Sequence, residues 1–126
     1  MTWQVEYTDQ FAEWWDTLSE GRRIRITASV GLLERRGPNL PFPHSSGVGG
    51  SRHGHMRELR VQAGGQPIRI FYAFDPRRVA ILLIGGDKTG RDDFYMRLIP
   101  LADRLYDEHL PEIEAEAAKR RHDDGG

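Results

Sequence analysis

The sequence has no cysteine, no long apolar run and no leader-like start, and each absence excludes a class of protein. Without cysteine among its 126 residues, it cannot be a disulfide scaffold, a thiol enzyme or a cysteine zinc protein. Its longest uninterrupted apolar run, residues 79–84, is far too short to cross a bilayer. Its first residues contain neither the basic nor the apolar segment of a secretory signal. We therefore expect a cytoplasmic protein that makes no use of a membrane.

Charge is nearly balanced overall but unevenly distributed. The formal net charge is −1, yet residues 1–20 carry −5, residues 21–100 carry +8 and residues 101–126 carry −4. A basic centre between acidic ends favours a polyanionic partner. Arginine supplies 16 of the 18 cations, which suits bidentate contacts to phosphate. A GC-rich genome also enriches arginine, so composition leaves the partner open.

The first third of the chain predicts a short strand and two helices. Residues 3–7 alternate apolar and polar side chains, as a strand does. Thr8 or Asp9 offers an N-cap for an amphipathic helix that ends near residues 19–21. The apolar face of that helix consists of Phe11, Trp14, Trp15 and Leu18. The apolar residues of 23–33 fit both the alternation of a strand and the spacing of a helix. The length of this stretch, followed by Gly37, favours a helix.

The middle of the chain predicts a loop followed by an antiparallel meander. Residues 37–54 contain five glycines and three prolines, which indicates a long loop of the kind that is usually functional or disordered. Strands are predicted at residues 56–62, 68–74 and 79–84 because the first two alternate and the third is apolar on both faces. The third should be the central strand of the sheet.

The C-terminal region predicts helix with interruptions. From Asp92 the apolar residues recur with helical spacing, and Pro100 should force a kink or a restart. An acidic segment from Pro111 has good helix formers but little apolar surface, so we expect a helical or frayed extension. The fold class is therefore α+β, ordered β-α-α-β-β-β-α, with residues 1–110 as the domain and 111–126 as the extension. A helical hairpin and a C-terminal helix would pack on a small, mainly antiparallel sheet.

Basic side chains follow the predicted strands and could converge on one concave surface. The candidates for chemistry are Arg57, Arg60, Arg69, Lys88, Arg91 and Tyr95, and those for RNA contact are Arg52, His53 and His55. Such a set suits RNA cleavage, because cations stabilise the phosphate charge and a Lys or His can remove the 2′-hydroxyl proton. Cations that merely cover the solvent-exposed face of a sheet would give the same sequence pattern.

Three further patterns have narrower interpretations. A charge at Arg69 would be costly if buried without a partner, so we expect this residue to line an open surface. The pair His53 and His55 has no obvious third metal ligand, and residues 85–90 lack the spacing of a phosphate-binding loop. We therefore expect neither a metal nor a cofactor.

Three segments together resemble a known family. Residues 55–60 (HMRELR), 68–74 (IRIFYAF) and 81–90 (ILLIGGDKTG) are similar, in order and spacing, to the HigB-like, phage-derived branch of the RelE/ParE toxin superfamily. The resemblance covers roughly residues 3–109. It implies a RelE-like fold in which the segment after Gly21 is a helix.

The resemblance also implies a function. Such proteins are the toxins of type II toxin–antitoxin pairs and cleave mRNA, typically on the ribosome and without a metal. The partner would be a helix-turn-helix antitoxin, through which alone the toxin meets operator DNA. Carried over by position, Arg57 or Arg60 takes the role on the second strand and Arg69 that on the third. Lys88 and Arg91 take the basic role after the last strand, and Tyr95 the aromatic one.

Two departures from the family keep other functions open. This chain as a whole is not basic, and it extends beyond the usual C-terminus of the family. The alternatives are a ParE-like gyrase inhibitor and a non-catalytic regulatory subunit that binds antitoxin and DNA. The acidic extension could also fold over the cationic surface and screen it, although screening by salt would keep that effect modest.

Overall fold

Within residues 2–125, which the computed structural model describes, three helices and five strands form a mixed α+β fold. In chain order they are β1 (Val5–Tyr7), α1 (Asp9–Asp16), α2 (Glu20–Arg36), β2 (Ser45–Gly47), β3 (Arg57–Ala63), β4 (Gln66–Phe74), β5 (Ala80–Asp87) and α3 (Phe94–Gly125). The α+β class and the two N-terminal helices confirm the sequence-based prediction. None of the helices described is both long and apolar enough to cross a membrane.

The five strands form one sheet in the order β1-β5-β4-β3-β2. The three long strands make the predicted antiparallel meander, whereas β1 pairs with β5 in parallel. The prediction that residues 79–84 form the central strand is wrong, because β4 occupies the middle. The apolar run of β5 has another cause: β5 is flanked by β1 and β4, and its residues from Ala80 to Ile84 are buried.

One strand, β2, lies inside the segment predicted as a loop. Its three residues pair with β3 and put Ser45 opposite Leu59. The Ser45 hydroxyl is fully buried and lies 2.6 Å from the hydroxyl of Tyr72 on β4. A Ser-Ser-Gly sequence has no hydrophobic alternation, so this strand depends on the edge of β3 rather than on its own sequence.

The two N-terminal helices begin and end on local signals. Thr8 caps α1 by accepting a hydrogen bond from the Phe11 amide, and Ser19 caps α2 in the same way through Arg22. At the end of α2, Gly37 has a φ of 58°, and a Cβ there would lie 2.3 Å from the indole of Trp3. Gly37 is therefore needed both for the left-handed turn and for the close approach of that ring.

The C-terminal region is one helix, Phe94–Gly125, so the chain does not start a new helix at Pro100. Pro100 and Pro111 both lie inside α3, although each removes a backbone hydrogen bond. Buried Ile99, Ala102 and Leu105 hold the helix against the sheet around Pro100, and Ile113 is buried beyond Pro111. The division at residue 110 does not coincide with any break in α3, and residues 111–125 continue this helix.

The sheet has an apolar layer on each face, and a buried polar network closes one end. Asp75, at the end of β4, has a fully buried carboxylate that accepts hydrogen bonds from Arg77 and from His109 of α3. Burial alone would raise the pKa of Asp75, but these hydrogen bonds outweigh it and hold the pKa below its usual value. The ionised carboxylate therefore ties α3 to the β4–β5 turn.

This network should make the fold acid-sensitive. Because the pKa of Asp75 is lower in the folded chain than in the unfolded one, its contribution is complete above about pH 4 and is lost as pH falls through the folded pKa. The Asp75→Asn variant has no carboxylate to protonate at this position, so its free energy of unfolding should fall less than that of the wild type as the pH is lowered. Urea unfolding at several pH values measures this difference. A wild type and variant with parallel pH profiles would contradict this expectation.

Candidate functional site

Alternation along β3 and β4 puts three charged side chains on the face that meets the start of α3. Arg60 pairs with Arg69 and Glu58 pairs with Phe71 in the register of the two strands. Side chains two residues apart share a face, so Glu58, Arg60 and Arg69 point the same way. Phe71 supports them from below by contact with the rings of Phe94 and Tyr95.

Glu58 is the centre of this arrangement. It is only 6% exposed, and its two oxygens accept hydrogen bonds from the Tyr95 hydroxyl at 2.7 and 3.2 Å. Ser46 of β2 also donates to Oε2 at 3.1 Å. Arg60 and Arg69 lie 3.6 and 3.7 Å away through Nη1 and Nε. A buried carboxylate is stable here because hydrogen bonds and two cations compensate for its lost hydration.

Arg69 does not line an open surface, contrary to the prediction. It is 5% exposed, and its Nη1 donates to the carbonyl of its own neighbour Ile68 at 3.0 Å. Its Nε lies beside Glu58 but has no hydrogen-bond acceptor within residues 2–125. The buried charge is tolerated because Glu58 supplies the opposite charge, so Arg69 forms the base of the site rather than its surface.

The accessible cations of the site are Arg60 and Lys88. The guanidinium of Arg60 is partly exposed and lies over the ring of Phe42, 5.1 Å from its centroid. Lys88 follows β5, where its amide donates to the carbonyl of Pro67, and its Nζ lies 5.0 Å from the centroid of the Tyr95 ring. We define the Glu58 site as Glu58, Arg60, Arg69, Lys88 and Tyr95, a set that contains three cations and one carboxylate.

Tyr95 connects this charge cluster to solvent. Burial, followed by the hydrogen bond and charge of Glu58, raises the pKa of the Tyr95 hydroxyl above its usual value, and the nearby Arg69 opposes this only in part. The hydroxyl therefore remains protonated near neutral pH and donates to Glu58. Its oxygen still has lone pairs that can accept a hydrogen bond from a bound molecule.

Two of the predicted catalytic side chains lie outside the Glu58 site. Arg57 is three residues from Arg60 on the same strand, so it points to the opposite face, where its Nε donates to Ser45. Arg91 is exposed in the turn after Lys88 and lines a different pocket with Trp14 and Arg97. Sequence reasoning grouped all the cations, whereas strand parity separates Arg57.

The three predicted RNA-contacting residues hold their loop against α3. Arg52 pairs with Asp107, and its amide donates to Asp103. Nε2 of His53 lies 2.8 Å from Asp107, and Nε2 of His55 lies 3.1 Å from the Tyr106 hydroxyl. The two histidines thus have protein partners, and residues 2–125 contain no group of three acidic or histidine side chains placed to hold a metal ion.

Glu58 and Ser46 belong to the site but are not among the residues predicted from the sequence, which were cations, histidines and one tyrosine. A signal was available for Glu58, because it alternates with Arg60 in a strand whose other even-numbered position, Gln62, is also polar. A single acidic side chain among basic side chains on one face of a sheet is typical of a buried carboxylate whose charge the neighbouring cations compensate.

The fold has solved counterparts. It matches a chain in the archaeal RelE–RelB complex from Pyrococcus horikoshii OT3 with a TM-score of 0.54 at 17% identity, covering 72% of this chain and 100% of that one. It also matches a mutant of the E. coli toxin RelE in the free state, with a TM-score of 0.53 at 11% identity, covering 90% and 99%. The architecture is therefore the RelE fold.

The sequence comparisons identify the family more closely. Residues 13–107 match the model of the phage-derived Gp49-like proteins, and the chain belongs to this family as a HigB-like member of the RelE superfamily. It is 38% identical over 115 residues to "Putative toxin HigB2" of Mycobacterium tuberculosis (strain ATCC 25618 / H37Rv), which covers 90% of this chain but 57% of that protein. It is 42% identical over 96 residues to "Putative toxin HigB3" of the same organism, covering 75% and 82%.

Proposed function

We propose that this protein is the toxin of a type II toxin–antitoxin pair and acts as an endoribonuclease on mRNA at the ribosome. The observation that carries the proposal is the Glu58 site, where a buried carboxylate is bonded to a half-buried tyrosine hydroxyl beneath an excess of positive charge. Positive charge fixed in place favours a phosphodiester and stabilises it further as negative charge develops during cleavage. The names of the relatives, both toxins, point the same way.

The geometry supports the following mechanism. Arginine remains protonated and cannot accept a proton, so Glu58 is the acceptor among the groups around Arg60 and Arg69. Glu58 is too buried to touch a ribose directly, and Tyr95 joins it to the surface. In this mechanism Tyr95 accepts the 2′-hydroxyl proton as its own proton passes to Glu58. The 2′-oxygen forms a bond to phosphorus, the bond to O5′ breaks, and O5′ takes a proton from solvent. Arg60 and Lys88 hold the phosphate.

The partner proposed for this toxin is an antitoxin with a helix-turn-helix domain. The solved relative from Pyrococcus horikoshii is a complex of RelE with RelB, which supports a protein partner for this fold. Contact with operator DNA would then come through the antitoxin, because the cations of the Glu58 site serve RNA. We expect an adjacent gene to encode a helix-turn-helix protein, and its co-expression should suppress the effect of the toxin on growth.

The test is induction of the protein alone in a bacterial host, followed by labelled amino acid and labelled thymidine. An RNA-cleaving toxin should stop incorporation of the amino acid first and shorten transcripts, because its substrate is mRNA. The purified protein should cut RNA in the presence of EDTA. If thymidine incorporation stops first while mRNA stays intact, the protein is a gyrase inhibitor of the ParE kind. If growth continues, it is a non-catalytic subunit.

A further inference from the structure

Arg57 is held in a fixed orientation on the face opposite the Glu58 site. Its Nε donates to the Ser45 hydroxyl at 2.9 Å, and that oxygen lies 2.6 Å from the Tyr72 hydroxyl. Ser45 and Tyr72 are 0% and 1% exposed. Burying two hydroxyls is costly unless they are paired, and apolar side chains in their place would cost less. The two buried hydroxyls therefore orient the guanidinium of Arg57, and they leave the core less stable than apolar side chains would.

Arg57 as a whole is half-buried, and it lines a pocket in the protein surface. Within residues 2–125 no carboxylate lies within 4.0 Å of Arg57, whereas Arg60 and Arg69 both lie beside Glu58. Arg57 lines a pocket of about 280 Å³ together with His55, Gly47 and Gly54. A Cβ built on Gly47 would lie 3.9 Å from Nη1, and one built on Gly54 would meet no atom within 4 Å. An anion can reach the guanidinium over these glycines.

We propose that Arg57 binds a second phosphate of the same RNA strand that occupies the Glu58 site, an inference that rests on the function proposed above. Arg57 and Arg60 are three residues apart on β3, about 10 Å along the strand. The edge of β3 beside Arg60 is covered by Phe42 and His44, whereas beside Arg57 it is covered by β2, whose residues Ser46 and Gly47 are small. A single strand of RNA that leaves Arg60 crosses this edge and places its next phosphates at the pocket of Arg57.

The experiment measures how RNA affinity depends on salt. A short fluorescein-labelled 2′-O-methyl oligoribonucleotide lacks the 2′-hydroxyl used in cleavage, so binding is read by anisotropy between about 50 and 200 mM salt. Each phosphate contact to single-stranded nucleic acid contributes about −0.7 to the slope of log K against log salt. Arg57→Gln should therefore make the slope less steep by about 0.7, as should Arg60→Gln. The matched control Arg35→Gln, an exposed arginine of α2, should keep the wild-type slope.

The outcomes separate this inference from the function on which it rests. If Arg60→Gln makes the slope less steep by one phosphate contact while Arg57→Gln keeps the wild-type slope, the proposal of a second phosphate subsite is wrong. The proposed function then still stands. If the wild type shows no salt-dependent RNA binding, the proposed function itself fails. A measurement on the unaltered protein guards against a misfolded variant. The Nε–H resonance of Arg57 should shift during titration with the oligonucleotide, and an unmoved resonance would refute the subsite.

Discussion

Replacing Arg69 with methionine should lower the free energy of unfolding by about 3 kcal/mol. The change removes a buried cation and leaves the Glu58 carboxylate, 6% exposed, with less opposite charge. Removing one partner of a buried pair typically costs about 3–5 kcal/mol. We expect the lower end because Arg60 and the Tyr95 hydroxyl still contact Glu58. Urea unfolding followed by tryptophan fluorescence measures the effect.

The double variant Arg69→Met/Glu58→Leu is the matched control. Replacing a buried ion pair with apolar side chains of similar volume is often neutral, so this variant should regain most of the stability that Arg69→Met loses. It should not regain RNA cleavage, because the proton acceptor is gone. An Arg69→Met protein as stable as the wild type would contradict the dependence of the buried Glu58 charge on Arg69.

Changing Tyr95 to phenylalanine should slow RNA cleavage about 100-fold, the low end of what positioned proton transfer contributes. Phenylalanine keeps the ring contacts with Phe71 and Phe94 but removes the oxygen that joins the substrate to Glu58. The lost hydrogen bond to a charged group should cost about 1.5 kcal/mol of stability. Single-turnover cleavage of a labelled RNA, with enzyme in excess, isolates the chemical step from binding.

Tyr7→Phe provides the comparison for this variant. Tyr7 is 63% exposed on β1, far along the sheet from β3, and its loss of a hydroxyl should change neither cleavage nor stability. A Tyr95→Phe protein that cuts RNA at the wild-type rate would show that the contact between Tyr95 and Glu58 serves only the fold. Lys88 would then be the group to change next.

The parts of the fold predicted from sequence are those whose signal is local. Period-two alternation locates β3 and β4, and Thr8 marks the start of α1 because its hydroxyl satisfies a free amide there. The missed parts depend on distant contacts. β2 exists because β3 offers an edge, and α3 passes through Pro100 because apolar side chains on both sides pack on the sheet. The sequence of neither segment, taken by itself, predicts these contacts.

The candidate site was predictable in part for the same reason. Arg60 and Arg69 could be assigned to neighbouring strands, but their placement opposite each other depends on the register of the β3–β4 hairpin. Arg57 could have been separated from Arg60 by parity alone. The docking of Arg52 on Asp107 required the position of α3, although Asp103 and Asp107 are spaced by one helical turn and so share a face.

The parallel pairing of β1 with β5 has a consequence for the order of events during synthesis. Val5 pairs with Ala80, so the first strand to be made has no strand partner until 75 more residues have been added. The meander, in contrast, closes through short turns, and contacts between near neighbours form fastest. The sheet should therefore nucleate at β3, β4 and β5, with β1 and the aromatic face of α1 joining last. Tyr95 follows β5 in the chain, so the Glu58 site is complete only after all three strands of the meander have been made.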